Sequence, residues 1–376
     1  MDSSTEDAAP SGPYEIAIVG AGLAGSIAAY RLGAHRRTVL IEADRPGGGA
    51  SGAAAGLLHR FLGTPPRKVW RSDESLAGIR LLLEEIGAER LFEARGILRP
   101  ARDEAEAAAL EDLANNHAPD LEWLPSEAVE ERYPALEAPR GGLFEPEGGA
   151  LRTPRFCEQL VAALEDAGGT YLEGRPVTGI RHQRGAVEID LEDRSSPENE
   201  PRPVRAGTVL LAVGAGYRRL PILQDRGFEP VKGQTLTVEA PWDGPPPPSM
   251  VGDGYAAVFG NEVVLGSTYE HPVAGGALRD RFKGSDEAGS ASGFWNDLGP
   301  TSEGARTIRE KTASLHPAFA DQSAREARAG VRVMAPGHRK AAIGPLPEHE
   351  RIWMIGARGS KGLLLGGLLS GNMGDG

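Results

Sequence analysis

Tyr14-Glu-Ile-Ala-Ile-Val-Gly-Ala-Gly-Leu-Ala-Gly25 decides how this chain folds. Tyr14 to Gly20 is a largely apolar run of the kind that forms a strand buried on both faces, and Leu23 to Gly33 continues as a helix of small residues. Thr38 to Ile41 is a second apolar run, and the connecting helix predicts that the two strands lie parallel and adjacent. Gly20 permits a tight turn out of the first strand, Gly22 lets the backbone approach a diphosphate, and Gly25 lets helix and strand pack closely. The helix N-terminus then faces negative charge. Glu42, at the end of the second strand and twenty residues after Gly22, suits a ribose hydroxyl. Strand, helix, strand and acid at these offsets together predict a bound adenine dinucleotide.

Immediately downstream stands Gly47-Gly-Gly-Ala-Ser-Gly-Ala-Ala-Ala-Gly-Leu-Leu-His59. Residues this small, placed just after the ribose acid, predict a bulky planar group lying against the backbone, which a nicotinamide dehydrogenase does not require here. His59 is a candidate to face that group. Arg60, Arg67, Lys68 and Arg71 form a local basic patch, read either as steering an anionic substrate or as a solvated face.

Further out, helical periodicity covers Ser72 to Gly87, Arg102 to Asn116 and Pro154 to Gly168, the last with Cys157, Leu160, Val161 and Leu164 on one face. Strands are expected at Gly96 to Arg99, near Tyr171, and at Val177 to Arg181, Val187 to Leu191 and Thr208 to Val213. From Gly233 to Glu239, Tyr255 to Phe259 and Glu262 to Ser267 the pattern changes to alternation, which predicts an antiparallel layer. Asp193 to Pro203 reads as a polar turn, and Ala274 to Gly304 as a Gly/Ser-rich, mobile stretch. A helix over Ala305 to Leu315, strands over Ala329 to Met334 and Ile352 to Ile355, and a helix from near Lys361 complete the outline.

Composition bounds the function. A chain of 376 residues accommodates about two domains. The formal net charge of −12 disfavours nucleic acid and anionic lipid as partners. The lone Cys157 cannot form an internal disulfide, which fits a cytoplasmic location, and the eight histidines form no zinc-spaced cluster. Met1 to Pro10 lacks the layout of a signal peptide, and no apolar run is long enough for a membrane span. Neither a Gly-x-Ser-x-Gly elbow nor a phosphate loop ending in Gly-Lys-Ser/Thr occurs.

With these blocks in view, the chain resembles the glycine oxidase/D-amino-acid oxidase family of flavoproteins. The likeness is carried by Ile18 to Gly25, Glu42 and Ala50 to Gly56, and by Leu210-Leu-Ala-Val-Gly-Ala-Gly216, Pro230-Val-Lys-Gly-Gln234 and Val264-Leu-Gly-Ser-Thr-Tyr269. Gly330-Val-Arg332, Ile343-Gly-Pro345 and Gly356-Ala-Arg-Gly-Ser-Lys-Gly362 complete it. The resemblance implies an α/β fold, with α+β in the second domain. After a disordered tail over 1–13, a Rossmann-like FAD-binding domain would be assembled from 14–90, 145–228 and 329–376. An antiparallel substrate domain would take 91–144 and 229–328.

It implies FAD bound by Gly20, Gly22, Gly25 and Glu42, by Ala50, Ser51 and Gly56, and by Val177, Gly214 and Gly356. Gly359, Ser360, Lys361 and Gly362 would start a helix aimed at the pyrimidine edge of the flavin. Arg332 would clamp a substrate carboxylate through paired hydrogen bonds. Tyr255 and Tyr269 are candidates for the substrate side. Relatives with covalent flavin use a cysteine in the C-terminal half; none stands there in this chain, so non-covalent FAD is expected.

The resulting expectation is an oxidoreductase moving hydride from the carbon beside an amine nitrogen to the flavin, with a small amine or amino acid as substrate and oxygen or another carrier as electron acceptor. Two alternatives stand beside it. One is oxidation of a side group on a wobble uridine of tRNA, or a quinone-linked dehydrogenase. The other is a flavin-binding scaffold without turnover.

Overall fold

The computed structural model describes residues 13–192, 203–272, 278–280, 298–335, 341–356, 359 and 362–372. The expected tail over 1–13 (but for residue 13), most of the polar turn and of the Gly/Ser-rich stretch, Ser360 and Lys361 lie outside the described residues.

Strand β1 (Tyr14–Val19) runs parallel to β2 (Thr38–Ile41) on one side and to the strand Val204–Leu211 on the other. Thr170–Leu172 extends the parallel set beyond β2, and His349–Gly356 pairs parallel with the end of Val204–Leu211. The hairpin Val177–Gln183/Ala186–Leu191 joins antiparallel, and Ala342–Leu346 pairs antiparallel with His349–Gly356. Among the described residues this sheet has eight strands. Ala17, Ile18, Val39, Leu40 and Ile41 are inaccessible to solvent, as both-face burial of a parallel sheet requires. Helix α1 (Leu23–Gly33) packs on the helix Thr153–Asp166, whose Cys157, Leu160, Val161 and Leu164 are all buried as their spacing predicts. Gly33 lies against Leu164 at this contact.

The second sheet has ten strands among the described residues and is built around Glu229–Glu239, which pairs antiparallel with Glu262–Gly266 and with Ala324–Met334. Tyr255–Phe259, Ser249–Val251, Ile97–Pro100, Gly142–Glu145 and Glu122–Leu124 follow in spatial order. Leu236, Val238, Val258, Val263 and Leu265 form a core on its outer face with Ile308 and Phe319. Its other face meets the nucleotide half of the molecule.

Two expectations are corrected here. The strand expected over Ala329 to Met334 starts earlier, at Ala324, and pairs throughout with Glu229–Glu239 of the second sheet. Its first five residues are exposed, and backbone pairing makes them a strand where the sequence offers no burial pattern. The helix expected from Ala305 begins at Ser302, because the Thr301 hydroxyl caps it by accepting the Gly304 amide at 3.0 Å.

Candidate active site

Where β1 ends, Gly20 adopts φ +100°, and a Cβ there would sit 2.7 Å from the Ala212 carbonyl oxygen. Gly25 lies directly over the Gly20 carbonyl and close to Ala212, leaving no room for a side chain. Glu42 accepts the Ala21 amide at 2.6 Å and the Asp44 amide at 3.0 Å, which fixes the turn between β1 and α1 to the end of β2. Burial pushes the Glu42 carboxyl above the usual range. The Ser51 hydroxyl accepts the Leu23 amide at 3.1 Å, and Thr153 donates to the Ser51 carbonyl at 2.7 Å.

The run after Glu42 forms one helical turn, Ala50–Ala53, that lies directly on the second sheet. A Cβ on Gly330 would approach the Ala50 Cα to 2.9 Å and the Ala53 Cβ to 2.8 Å. Thr235 donates to the Ala53 carbonyl at 3.2 Å, and Arg328 to the Gly52 carbonyl at 3.1 Å. Small residues are therefore needed here by the approach of the sheet as well as by the groove.

These elements enclose a chain of three cavities. The first, about 400 Å³, is lined by Gly20, Glu42, Arg175, Val177 and Gly216 among others. The second, about 410 Å³, shares Gly20 and Glu42 and adds Gly22, Ser51, Gly214, Gly330, Gly356, Gly359 and Gly362. The third, about 340 Å³, shares Ala50, Ser51, Gly330, Arg332, Gly359 and Gly362 and adds Gly56, His59, Tyr255 and Ser267. A long groove with a glycine-lined waist at a helix N-terminus fits a dinucleotide, and the third cavity has the volume for a small substrate beside a planar ring.

Most residues singled out from the sequence meet along this groove. Gly25 does not line it; it packs helix against strand. Gly56 adopts φ +70° and lies against the Leu151 carbonyl. Tyr269 is absent from the lining too. Its ring lies 5.3 Å from the Arg332 guanidinium carbon, and its hydroxyl points to the Met334 sulfur at 3.2 Å.

Arg332 is held on three sides. Beneath it, opposite Gly330 in the ladder, Gly233 presents a bare backbone where any Cβ would strike the guanidinium. Tyr269 covers one face, and Nη2 donates to the Ser267 hydroxyl at 3.3 Å. Tyr255 stands opposite Gly266 in the adjacent strand pair, and its ring leaves no space for a side chain there. Burial raises the Tyr255 phenol, while Arg332, the Ser267 hydroxyl and the Ala55 amide act in the opposite direction.

His59 is 9% exposed, and burial together with the Arg99 charge lowers it to about 4. It is thus neutral at physiological pH. Its neighbour Arg60 departs from both sequence readings, since it is neither a steering charge nor a solvated one. It is 4% exposed and bonded to Glu145 at 3.0 Å, Asp73 at 3.0 Å and Asp120 at 2.9 Å. Ser267, Gly233 and Thr153 were missed as individual positions; the first two stand inside sequence blocks already noted, and only the sheet register gives them their neighbours.

Among known proteins, the family model described as FAD dependent oxidoreductase (DAO) matches residues 15–373. Glycine oxidase of Pseudomonas aeruginosa is 27% identical, covering 93% of this chain and 91% of that protein. The tRNA 5-methylaminomethyl-2-thiouridine biosynthesis bifunctional protein MnmC of Chromohalobacter salexigens is 28% identical over 93% of this chain and 51% of its own length. The chain thus spans about half of that relative. The crystal structure of glycine oxidase from Geobacillus kaustophilus superposes with a TM-score of 0.75 at 23% identity, over 95% of this chain and 92% of the other, a likeness of fold. No helix among the described residues is long and apolar enough to cross a membrane. With the nucleotide groove and a family match over nearly its whole length, the chain belongs to the DAO family of FAD-dependent oxidoreductases.

Proposed function

We propose that the protein oxidises the carbon–nitrogen bond of a small amine that carries a carboxylate, with Arg332 holding that carboxylate. The observation that carries this reading is the guanidinium in the third cavity, seated on Gly233 and stacked on Tyr269 at the end of the dinucleotide groove. The 27% identity to a glycine oxidase over most of both chains supports the same substrate class.

In this reading Gly20, Gly22 and Ser51 would hold the diphosphate at the start of α1, and Glu42 and Val177 the adenosine part. Gly56, Gly359 and Gly362 would border the ring. When bound, FAD would supply a two-electron acceptor for hydride from the carbon beside the amine nitrogen, and water then converts the imine product to a carbonyl compound and releases the nitrogen as ammonia or an amine. Arg332 fixes the carboxylate by two parallel N–H donors and so orients the reacting carbon. Tyr255 closes one wall. Neutral His59 places no positive charge against the amine. No side-chain base is needed, because an uncharged amine is already the reactive form. Cys157, buried and in no disulfide, fits a reducing cytoplasm.

The test is anaerobic mixing of FAD-loaded protein with glycine, sarcosine, iminodiacetate, proline and methylamine. Bleaching of the visible flavin band by an amino acid but not by methylamine is expected. Arg332→Ala should retain FAD and raise KM for the amino acid roughly a hundredfold. Protein that stays colourless after FAD is added would overturn the reading, and unchanged kinetics in the variant would remove the clamp. Peroxide release in air distinguishes oxygen from another electron acceptor.

The likeness to the tRNA-modifying relative favours a second reading, in which the amine is a side group on a tRNA uridine. The net charge of −12 opposes a polyanionic partner. Absence of salt-sensitive tRNA binding would eliminate this alternative.

A further inference from the structure

Arg332 needs more than a cavity to act as a clamp, because a guanidinium at the end of a flexible stem is productive only when its plane is fixed. Gly233 and Tyr269 restrict it from below and from one face. Neither sets its rotation within that plane. One polar group among the described residues does: the Ser267 hydroxyl, which accepts from Nη2 at 3.3 Å. The same hydroxyl stands beside the Tyr255 phenol, so a single small group touches two polar side chains of the cavity, Arg332 and Tyr255.

Ser267 is itself held firmly. Its carbonyl accepts from the Lys311 ammonium at 3.5 Å. The next residue, Thr268, accepts the Gln234 amide at 3.0 Å and donates to the buried Glu270 carboxylate. The Gln234 side chain donates to Glu270 at 2.6 Å and accepts the Thr301 amide at 2.7 Å. This buried polar network lies behind the cavity and anchors the turn from which Ser267 projects. A satisfied network of this kind rigidifies what it holds.

We propose that Ser267 is a positioning residue: its hydroxyl sets the orientation of the Arg332 guanidinium and links it to Tyr255, leaving the remaining N–H groups of Arg332 to meet a substrate carboxylate. This rests on the reading of Arg332 as a carboxylate clamp. Removing the hydroxyl leaves Arg332 charged and in place but free to rotate, so carboxylate binding weakens without loss of the cofactor.

The test uses FAD-loaded protein titrated with glycolate, a small carboxylate without an amine, followed by perturbation of the flavin absorption. Wild type, Ser267→Ala, Ser267→Thr, Arg332→Ala and the double variant Ser267→Ala/Arg332→Ala are compared, each with its unliganded flavin spectrum as a check of folding. Expected are an approximately tenfold weaker Kd for Ser267→Ala and near-wild-type affinity for Ser267→Thr. The double variant should be within about twofold of Arg332→Ala alone, since residues acting through one another are not additive. If wild type responds, Arg332→Ala does not, and Ser267→Ala matches wild type or Thr fails to rescue, this inference fails while the clamp stands. If wild type holds FAD yet ignores glycolate, or if Arg332→Ala binds it normally, both fall together.

Discussion

Gly25 has no side chain because the Gly20 carbonyl occupies the space one would need. The obstacle is backbone, which cannot rotate away as a flexible side chain could, so Gly25→Ala must separate α1 from β1. A loss of about 3 kcal/mol, measured by denaturant unfolding, is expected together with impaired FAD retention. His59 makes a different kind of prediction. It titrates near 4 in the folded protein and near 6.5 when unfolded, so between those values only the unfolded chain takes up the proton. Its contribution to stability is complete above pH 6.5 and is lost as the pH falls toward 4, a change of about 3 kcal/mol. His59→Gln should therefore flatten the acid side of the stability profile, with little change in slope above pH 7. Thermal unfolding across that range would check it.

At the scale of elements, the contact that builds the groove is between the helical turn Ala50–Ala53 and the strand Ala324–Met334. Gly233 and Gly330 are cross-strand partners, and together they leave a patch of sheet without side chains. The helical turn settles on one part of that patch and the Arg332 guanidinium on another. A Cβ at Gly330 meets backbone and Cβ atoms at under 3 Å, so Gly330→Ala should lift the turn carrying Ser51 off the sheet. The expected cost is about 1–3 kcal/mol, with a matching drop in FAD affinity measured by fluorescence titration. Gly63→Ala offers a contrast. Unlike Gly330 it lies at a positive φ, +94°, and its nearest neighbour would be a backbone oxygen 3.5 Å away, so conformational strain alone should act and FAD binding should hold.

Over the whole molecule, Arg60 and Glu145 tie the segment after the nucleotide half to the second sheet. Both side chains are 5% exposed, and Asp73, Asp120 and Lys68 extend the cluster toward solvent. Burial raises the Glu145 carboxyl, and hydrogen bonds from Arg60 act against that rise. A buried pair of this sort contributes little net stability when intact, yet breaking it strands a charge. Glu145→Ala should cost about 3 kcal/mol or more. Arg71→Ala, which removes an exposed partner of Glu74, should cost less than about 1 kcal/mol, the usual worth of a surface pair. Thermal melts of the two variants would settle the difference.

The nucleotide unit was legible in the sequence because its information is local. Gly20, Gly22, Gly25 and Glu42 act on backbone within two strands and one helix, and the bounds of α1 and β2 follow from residue pattern alone. The alternating strands around Tyr255 were legible for the same reason. What only the tertiary structure decided is how the two sheets meet. The exposed start of Ala324–Met334, the burial of Arg60, the seat for Arg332 on Gly233 and the reach of its guanidinium to Ser267 depend on register between segments far apart in the chain. Register is set by long-range pairing and close backbone approach, and neither leaves a periodic trace in the residues that take part.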